Sequence, residues 1–294
     1  VGVYPSQIAC NIEGVISKVM DVTVQFEGEH AKNYYRAQTV PNPSSVKITG
    51  LRSVVNSADK AVATINIEGA MDDVVKTVPV RIYDDTDNEI FLSAPIGNVK
   101  VTVPIYPTKY VALEPTITGI PEEGYELVDV TVKPERVRIA AEQDVLDTFK
   151  KLTLEELDIT GAYNNILSTR NILNAEGLVF LDMETKPVVN AVVEKIIERD
   201  LRYSNDDIQF INKIENSDVE IKETEEEITV TVRGTSTLVN SLKKEDLILT
   251  LDLSETVNGI NTVNLDCISE FTFKEISLSK ETVTIEVSKE PLEP

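Results

Sequence analysis

"PSSVKITGLRSVVN", residues 43 to 56, reads as a short strand that breaks at Gly50 and turns into an apolar helical nub. "PERVRIAAEQDVLD", residues 134 to 147, says nearly the same thing again. Pro43 and Pro134 lie 91 residues apart (134 − 43), and the same offset carries Val46 to Val137, Ile48 to Ile139, Val54 to Val145 and Val55 to Leu146. It also carries Gly28 to Gly119 and Tyr34 to Tyr125. Pairs held in one register without a gap mark an internal repeat, and a repeat decides the architecture before any single element does.

A third copy stands 184 residues after the first (227 − 43). Val46, Ile48, Gly50, Val54, Val55 and Asn56 map there onto Val230, Val232, Gly234, Leu238, Val239 and Asn240, and Phe26 maps onto Phe210. This copy has Glu227 in place of the proline and lacks the Gly-Tyr pair, as a divergent terminal unit of an array does. The closing stretch repeats as well: Val99, Val101 and Val103 correspond to Val189, Ala191 and Val193, then to Val283, Ile285 and Val287. One period earlier it lands on Ile8, Cys10 and Ile12, so the sequence is expected to open inside the end of a preceding unit. The expected domains are 1-12 as that tail, then repeats over 13-104, 105-195 and a divergent 196-294.

Alternation such as Val22, Val24, Phe26 and Val46, Ile48 puts every second side chain on one face, the pattern of half-buried strands. "YDDTDNEI", 83 to 90, joins two strand-like runs through a polar turn. Helix is expected only as nubs near Val54-Val55, Val145-Phe149 and Leu238-Leu242. Unit junctions are expected at "VTVPIYPTK" (101 to 109) and "VVEKIIERD" (192 to 200), where proline or charge interrupts the strand pattern. The fold class is therefore all-β with short helical nubs, an elongated tandem array.

Composition agrees. The 294 residues are 41% hydrophobic and 27% charged, enough for several cores, and Val, Ile and Thr abound while Trp is absent. Fifty acidic against 28 basic residues give a net charge of −22. Such a surface repels phosphate backbones, so no nucleic acid partner is expected. No run approaches the ~18 apolar residues of a membrane span, and no signal peptide opens the chain. Cys10 and Cys267 form no CxxC pair and suggest neither a disulfide framework nor zinc. Their alternation with Ile8 and Ile12, and with Val263 and Leu265, points both inward as free, poorly reactive thiols.

"NPSSVKITGLRSVVNSADKAVATINIEG", followed by "VPVRIYDDTDNEI" and "NVKVTVPI", resembles the YbbR-type repeat of the Cda regulator family, found mainly in Gram-positive bacteria. "GYELVDVTVKPERVRIAAEQDVLDTFKKLTLEELDITG" is similar to a second copy, and 228 to 288 to a weaker third. The resemblance implies an N-terminal transmembrane anchor lying outside this sequence, with the repeats extracytoplasmic. It also implies modulation of a membrane-bound diadenylate cyclase, the enzyme that makes cyclic di-AMP, as partner. It supplies no catalytic residues.

The residues themselves offer little chemistry. His30, the single histidine, has Pro121 as its repeat equivalent and reads as a solvated loop residue. Asp84, Asp85, Asp87, Asn88 and Glu89 crowd one turn, but without the glycine and spacing of a calcium loop they read as a polar hairpin tip. The run "ETEEE", 223 to 227, reads as a solvated face. Gly119 and Gly124 have the outer spacing of a phosphate loop, but Tyr125 replaces its lysine. No catalytic, cofactor-binding or metal residues are therefore assigned, and the chain is expected to be no enzyme. The alternatives left open are a cell-surface spacer that binds a cell-wall component and, more weakly, a secreted enzyme.

Overall fold

The computed structural model describes residues 12–213, 217–222 and 227–289. They form two compact units. The first comprises the chain up to Glu114 with Pro134–Thr153 and Ile172–Lys186; the second comprises Pro115–Lys133, Leu154–Asn171 and the chain from Pro187 on. Residues 105–195 thus supply strands to both units.

In the first unit a seven-stranded sheet runs in the order Val40–Asn42, Asn98–Val103, Val74–Tyr83, Lys60–Asn66, Val15–Glu27, Ser45–Leu51, with Glu89–Ile90 beside Val74–Tyr83. Its two long strands change partner midway. Val15–Asp21 lies antiparallel to Ser45–Leu51, whereas Val22–Glu27 lies parallel to Lys60–Asn66. Val74–Pro79 pairs with Asn98–Val103, and Val80–Tyr83 with Lys60–Ala63. The alternating apolar set faces inward: Met20, Val22, Val46, Ile48, Ala61, Ala63, Ile65, Val99, Val101 and Val103 share one core. The turn of helix Arg52–Ser57 drops Val55 into it, and Ser57 Oγ donates to Val54 O at 3.0 Å. A second sheet of the same unit repeats the opening: Ile105–Glu114 runs antiparallel to Arg136–Ala140 and parallel to Lys151–Thr153, with the helical turn Gln143–Thr148 between them.

The second unit carries the pattern on. Ile196–Tyr203 lies antiparallel to Ile228–Thr235, and Ile208–Ile211 parallel to Leu247–Asp252. Gly259–Asn264 pairs with Thr282–Lys289 while Leu265–Ser269 pairs with Leu247–Leu251, the same mid-strand exchange of partner. Val239, on the turn of helix Ser236–Ser241, is fully buried in the core that also holds Val230, Val232, Leu249, Leu251 and Ile285.

The parallel pairing recurs in each copy: Phe26 opposes Ile65, Ile117 opposes Leu157, and Phe210 opposes Leu251. The first strands keep the offsets of 91 and 184 residues, while their partners have drifted by one and two residues to 92 (157 − 65) and 186 (251 − 65). The all-β, tandem-repeat reading stands, and the three nubs lie where the repeat put them, with two short 3₁₀ turns added at Asn205–Asp207 and Lys244–Asp246. The junction at "VVEKIIERD" differs from expectation. Val188–Tyr203 is one unbroken strand of 16 residues. Its charges do not interrupt it because they are satisfied sideways: Glu194 accepts from Thr237 N–H and hydroxyl at 2.9 and 2.6 Å, and Arg199 Nη1 donates to the carbonyls of Val239 and Leu242 at 3.1 and 2.8 Å.

Candidate functional site

The polar residues that the sequence singles out are spent on structure. Asp84 takes the N–H groups of Thr86 and Asn88 at 3.0 and 2.8 Å, together with the Thr86 hydroxyl at 2.9 Å. These bonds, the one from the Asn88 N–H foremost, hold its carboxyl below the usual value. Asp87, at φ 60°, bonds Lys60 at 2.8 Å. The hairpin tip is thus a self-bonded turn that closes Tyr83 against Glu89. His30 is half-buried, its Nδ1 3.1 Å from Ala31 O. Gly119 and Gly124 sit at φ 83° and 84°.

Gly119 belongs to a device built three times. Asn66, Asp158 and Asp252 each accept, on Oδ1, the N–H two residues on, from Glu68, Thr160 and Ser254, all at 2.9 Å. Such side-chain turns end a strand by offering its last N–H a substitute partner. Facing them stand Gly28, Gly119 and Asn212, all in the left-handed region (φ 72°, 83° and 54°). Asn212 reports that the third copy keeps the position without the glycine, its amide donating to Asp252 at 2.9 Å. That amide is the largest cause of Asp252's lowered pKa, as the Thr160 hydroxyl is of Asp158's. Asp252 also lines an open groove with Ser254, Thr256, Asn261, Asn264 and Asp266. Among the described residues, no three His, Cys, Asp or Glu side chains gather as a metal site would require.

Cys267 is free and half-buried against the second unit's core, opposite Leu249 in its ladder. Burial raises its thiol pKa above the ordinary value, which keeps the thiolate scarce near neutrality. Cys10 and the greater part of "ETEEE" lie outside the described residues.

The feature that sequence reasoning missed is a surface. Ser45–Leu51 ends its sheet: one side pairs with Val15–Asp21, and among the described residues no strand pairs with the other. Bonds from Val22 N to Ser44 O and from Arg52 N to Gly14 O place the even-numbered residues in the ladder. The backbone groups of Ser45, Lys47, Thr49 and Leu51 therefore point outward, into the open edge. Both equivalent strands are covered by the chain itself. Arg136–Ala140 has Val179–Phe180 beside it, and Ile228–Thr235 has Glu275–Leu278. The outer faces differ as well. Around Ile228–Thr235 that face is ionic, with Glu198 opposite Arg233 and Asp200 bonded to Thr231 at 2.7 Å. In the first unit the same positions hold Ser17 opposite Thr49, their hydroxyls 2.8 Å apart, and Val19 opposite Lys47, without an ion pair. One pair further on Val15 stands opposite Leu51, and Val15, Val19 and Leu51 are exposed to 68%, 66% and 46%.

Comparison with known proteins places these repeats. The model of the family described as YbbR-like protein matches residues 20–105 and 111–193. The CdaA regulatory protein CdaR of Bacillus subtilis (strain 168) is 25% identical over 270 residues, which are 90% of this chain and 55% of that protein. The chain thus spans about half the length of this curated relative. A crystal structure of a YbbR-like protein from Streptococcus pneumoniae TIGR4 aligns over 64% of this chain and 98% of its own, at 15% identity and a TM-score of 0.28. With two family matches laid over the first two copies of its repeat, the chain belongs to the YbbR-like protein family.

Proposed function

We propose that the chain is the extracytoplasmic repeat region of a membrane-anchored regulator that binds and modulates a membrane diadenylate cyclase, and so sets cyclic di-AMP synthesis. The observation that carries this is the similarity, over 90% of the chain, to a protein named as a regulator of CdaA. The chain's own make-up supports it. Its described acidic side chains serve turns, caps and surface ion pairs, and the edge of Ser45–Leu51 offers backbone groups for contact. The protein acts by binding and has no catalytic activity of its own.

In this reading the repeats run over 13–104, 105–195 and 196–294 after a tail at 1–12, and an N-terminal helix outside these residues holds them at the outer face of the cytoplasmic membrane. No helix among the described residues is long and apolar enough to cross a membrane. Purifying the tagged full-length protein from detergent-solubilised membranes tests the partnership. A diadenylate cyclase recovered in stoichiometric amount is the expected result. Its absence, with cell-wall fragments recovered instead, would mean a surface spacer.

A further inference from the structure

We propose that the open edge of Ser45–Leu51 is a docking site for an extended, acid-bearing segment of another protein, which joins the sheet there as an antiparallel strand. Main-chain bonds to Ser45, Lys47, Thr49 and Leu51 supply the attachment, and alternate side chains of the incoming segment supply selectivity. The site holds whichever protein provides the strand, so a cyclase that failed to bind would leave it standing.

The chain's own third copy shows what such an edge accepts. Glu275–Leu278 lies antiparallel on the equivalent strand, with Ser277 opposite Thr231 and Glu275 opposite Arg233. Lys274 N donates to Arg233 O, and Ser279 N to Thr229 O, at 2.9 and 2.8 Å, so the bonds use the same odd-numbered, outward positions. Ile276 and Leu278 turn inward onto the core. In the first unit the corresponding stretch, 91–97, forms no strand. Leu92 still packs against that core, so the core is closed while no strand among the described residues covers the backbone edge.

Open edges are normally blunted by shortness, proline or charge. The opposite end of this sheet follows the rule, since Val40–Asn42 has three residues and contains Pro41. Ser45–Leu51 has seven residues, no proline and Lys47 as its one charge. Its neighbouring outer face exposes Val15, Val19 and Leu51.

Charge selects the occupant. Lys47 and the adjoining Arg52 have no ion-pair partner among the described residues, in a chain that carries −22 overall. A second copy would bring Lys47 and Arg52 against themselves and join two strongly anionic chains. A segment with a carboxylate opposite Lys47 gains a cross-strand pair instead.

The probe is the synthetic octapeptide of residues 273–280 carrying Ser277→Glu, which sets a carboxylate opposite Lys47. It is titrated into the chain while amide hydrogen exchange is followed. Protection appearing at the Lys47 and Thr49 amides is the expected result. Thr49→Pro removes one outward N–H without touching the inner ladder, and it is expected to weaken binding about tenfold or more. Thr49→Val leaves binding unchanged. Lys47→Glu weakens binding about threefold or more, which keeps the test alive if the proline variant does not fold. Unaltered exchange at both amides would overturn the proposal. So would equal affinity of the wild type and Lys47→Glu, or dimers of the chain alone that Thr49→Pro dissolves, which would make a second copy the occupant.

Discussion

Gly119 and Asn212 hold the same repeat position with different side chains, and the difference can be measured. A Cβ on Gly119 would strike the Thr160 hydroxyl and the Asp158 carboxylate, and would sit 2.8 Å from Thr160 N, at a backbone φ of 83°. Gly119→Ala is therefore expected to cost about 1–3 kcal/mol in denaturant unfolding. Asn212→Gly trades one surface hydrogen bond for a freer backbone and is expected within ~0.5 kcal/mol of wild type.

Asp207 carries the clearest pH dependence. Lys244 Nζ at 2.7 Å and the Ser204 N–H at 2.7 Å lower its pKa from 3.8 to about 2. A folded pKa below the unfolded one adds stability that is fully present above pH ~4 and is lost as pH falls through about 2. With a third of the side chain in water (32% exposed), solvent screening limits that contribution to under ~1 kcal/mol. Asp207→Asn should accordingly lower stability slightly at pH 7 and match wild type near pH 2. Urea titrations at both values decide it.

At the scale of the element, the nubs were legible and the sheet was not. Val55, Leu146 and Val239 are each nearly or fully buried, because a strand that stops and turns once must put its next apolar residue on the core. Leu146→Ala is expected to cost ~2–4 kcal/mol, against less than ~0.5 for the exposed Val19→Thr; thermal unfolding separates the two.

Alternation announced which side chains of Val15–Glu27 face inward. It could not announce that the strand leaves Ser45–Leu51 for Lys60–Asn66 halfway along, since either partner needs the same period of two. The junction at 192–200 was misread for a related reason. Charge on a strand is a break only when it lacks partners, and Glu194 and Arg199 find theirs forty residues away in sequence. The open edge left no trace either. Ser45–Leu51 and Ile228–Thr235 share their inward residues, and what covers the latter lies at 275–278, outside any local pattern.

For the whole molecule, the repeat and the charge were visible in the residues, while the proposed partner rests on kinship. Nothing in Val46 or Ile48 speaks of cyclic di-AMP. What the chain does supply, among the described residues, is three copies of one scaffold, two with the equivalent edge covered and one with it open. Regulation of an enzyme by such a scaffold requires that binding change the enzyme's output.

The direct measurement is cyclic di-AMP synthesis in membranes containing the diadenylate cyclase, with and without the anchored full-length protein. The account predicts a several-fold change in output, as a coupling of ~1 kcal/mol or more would give. Output that stays the same at every ratio of the two proteins would contradict it.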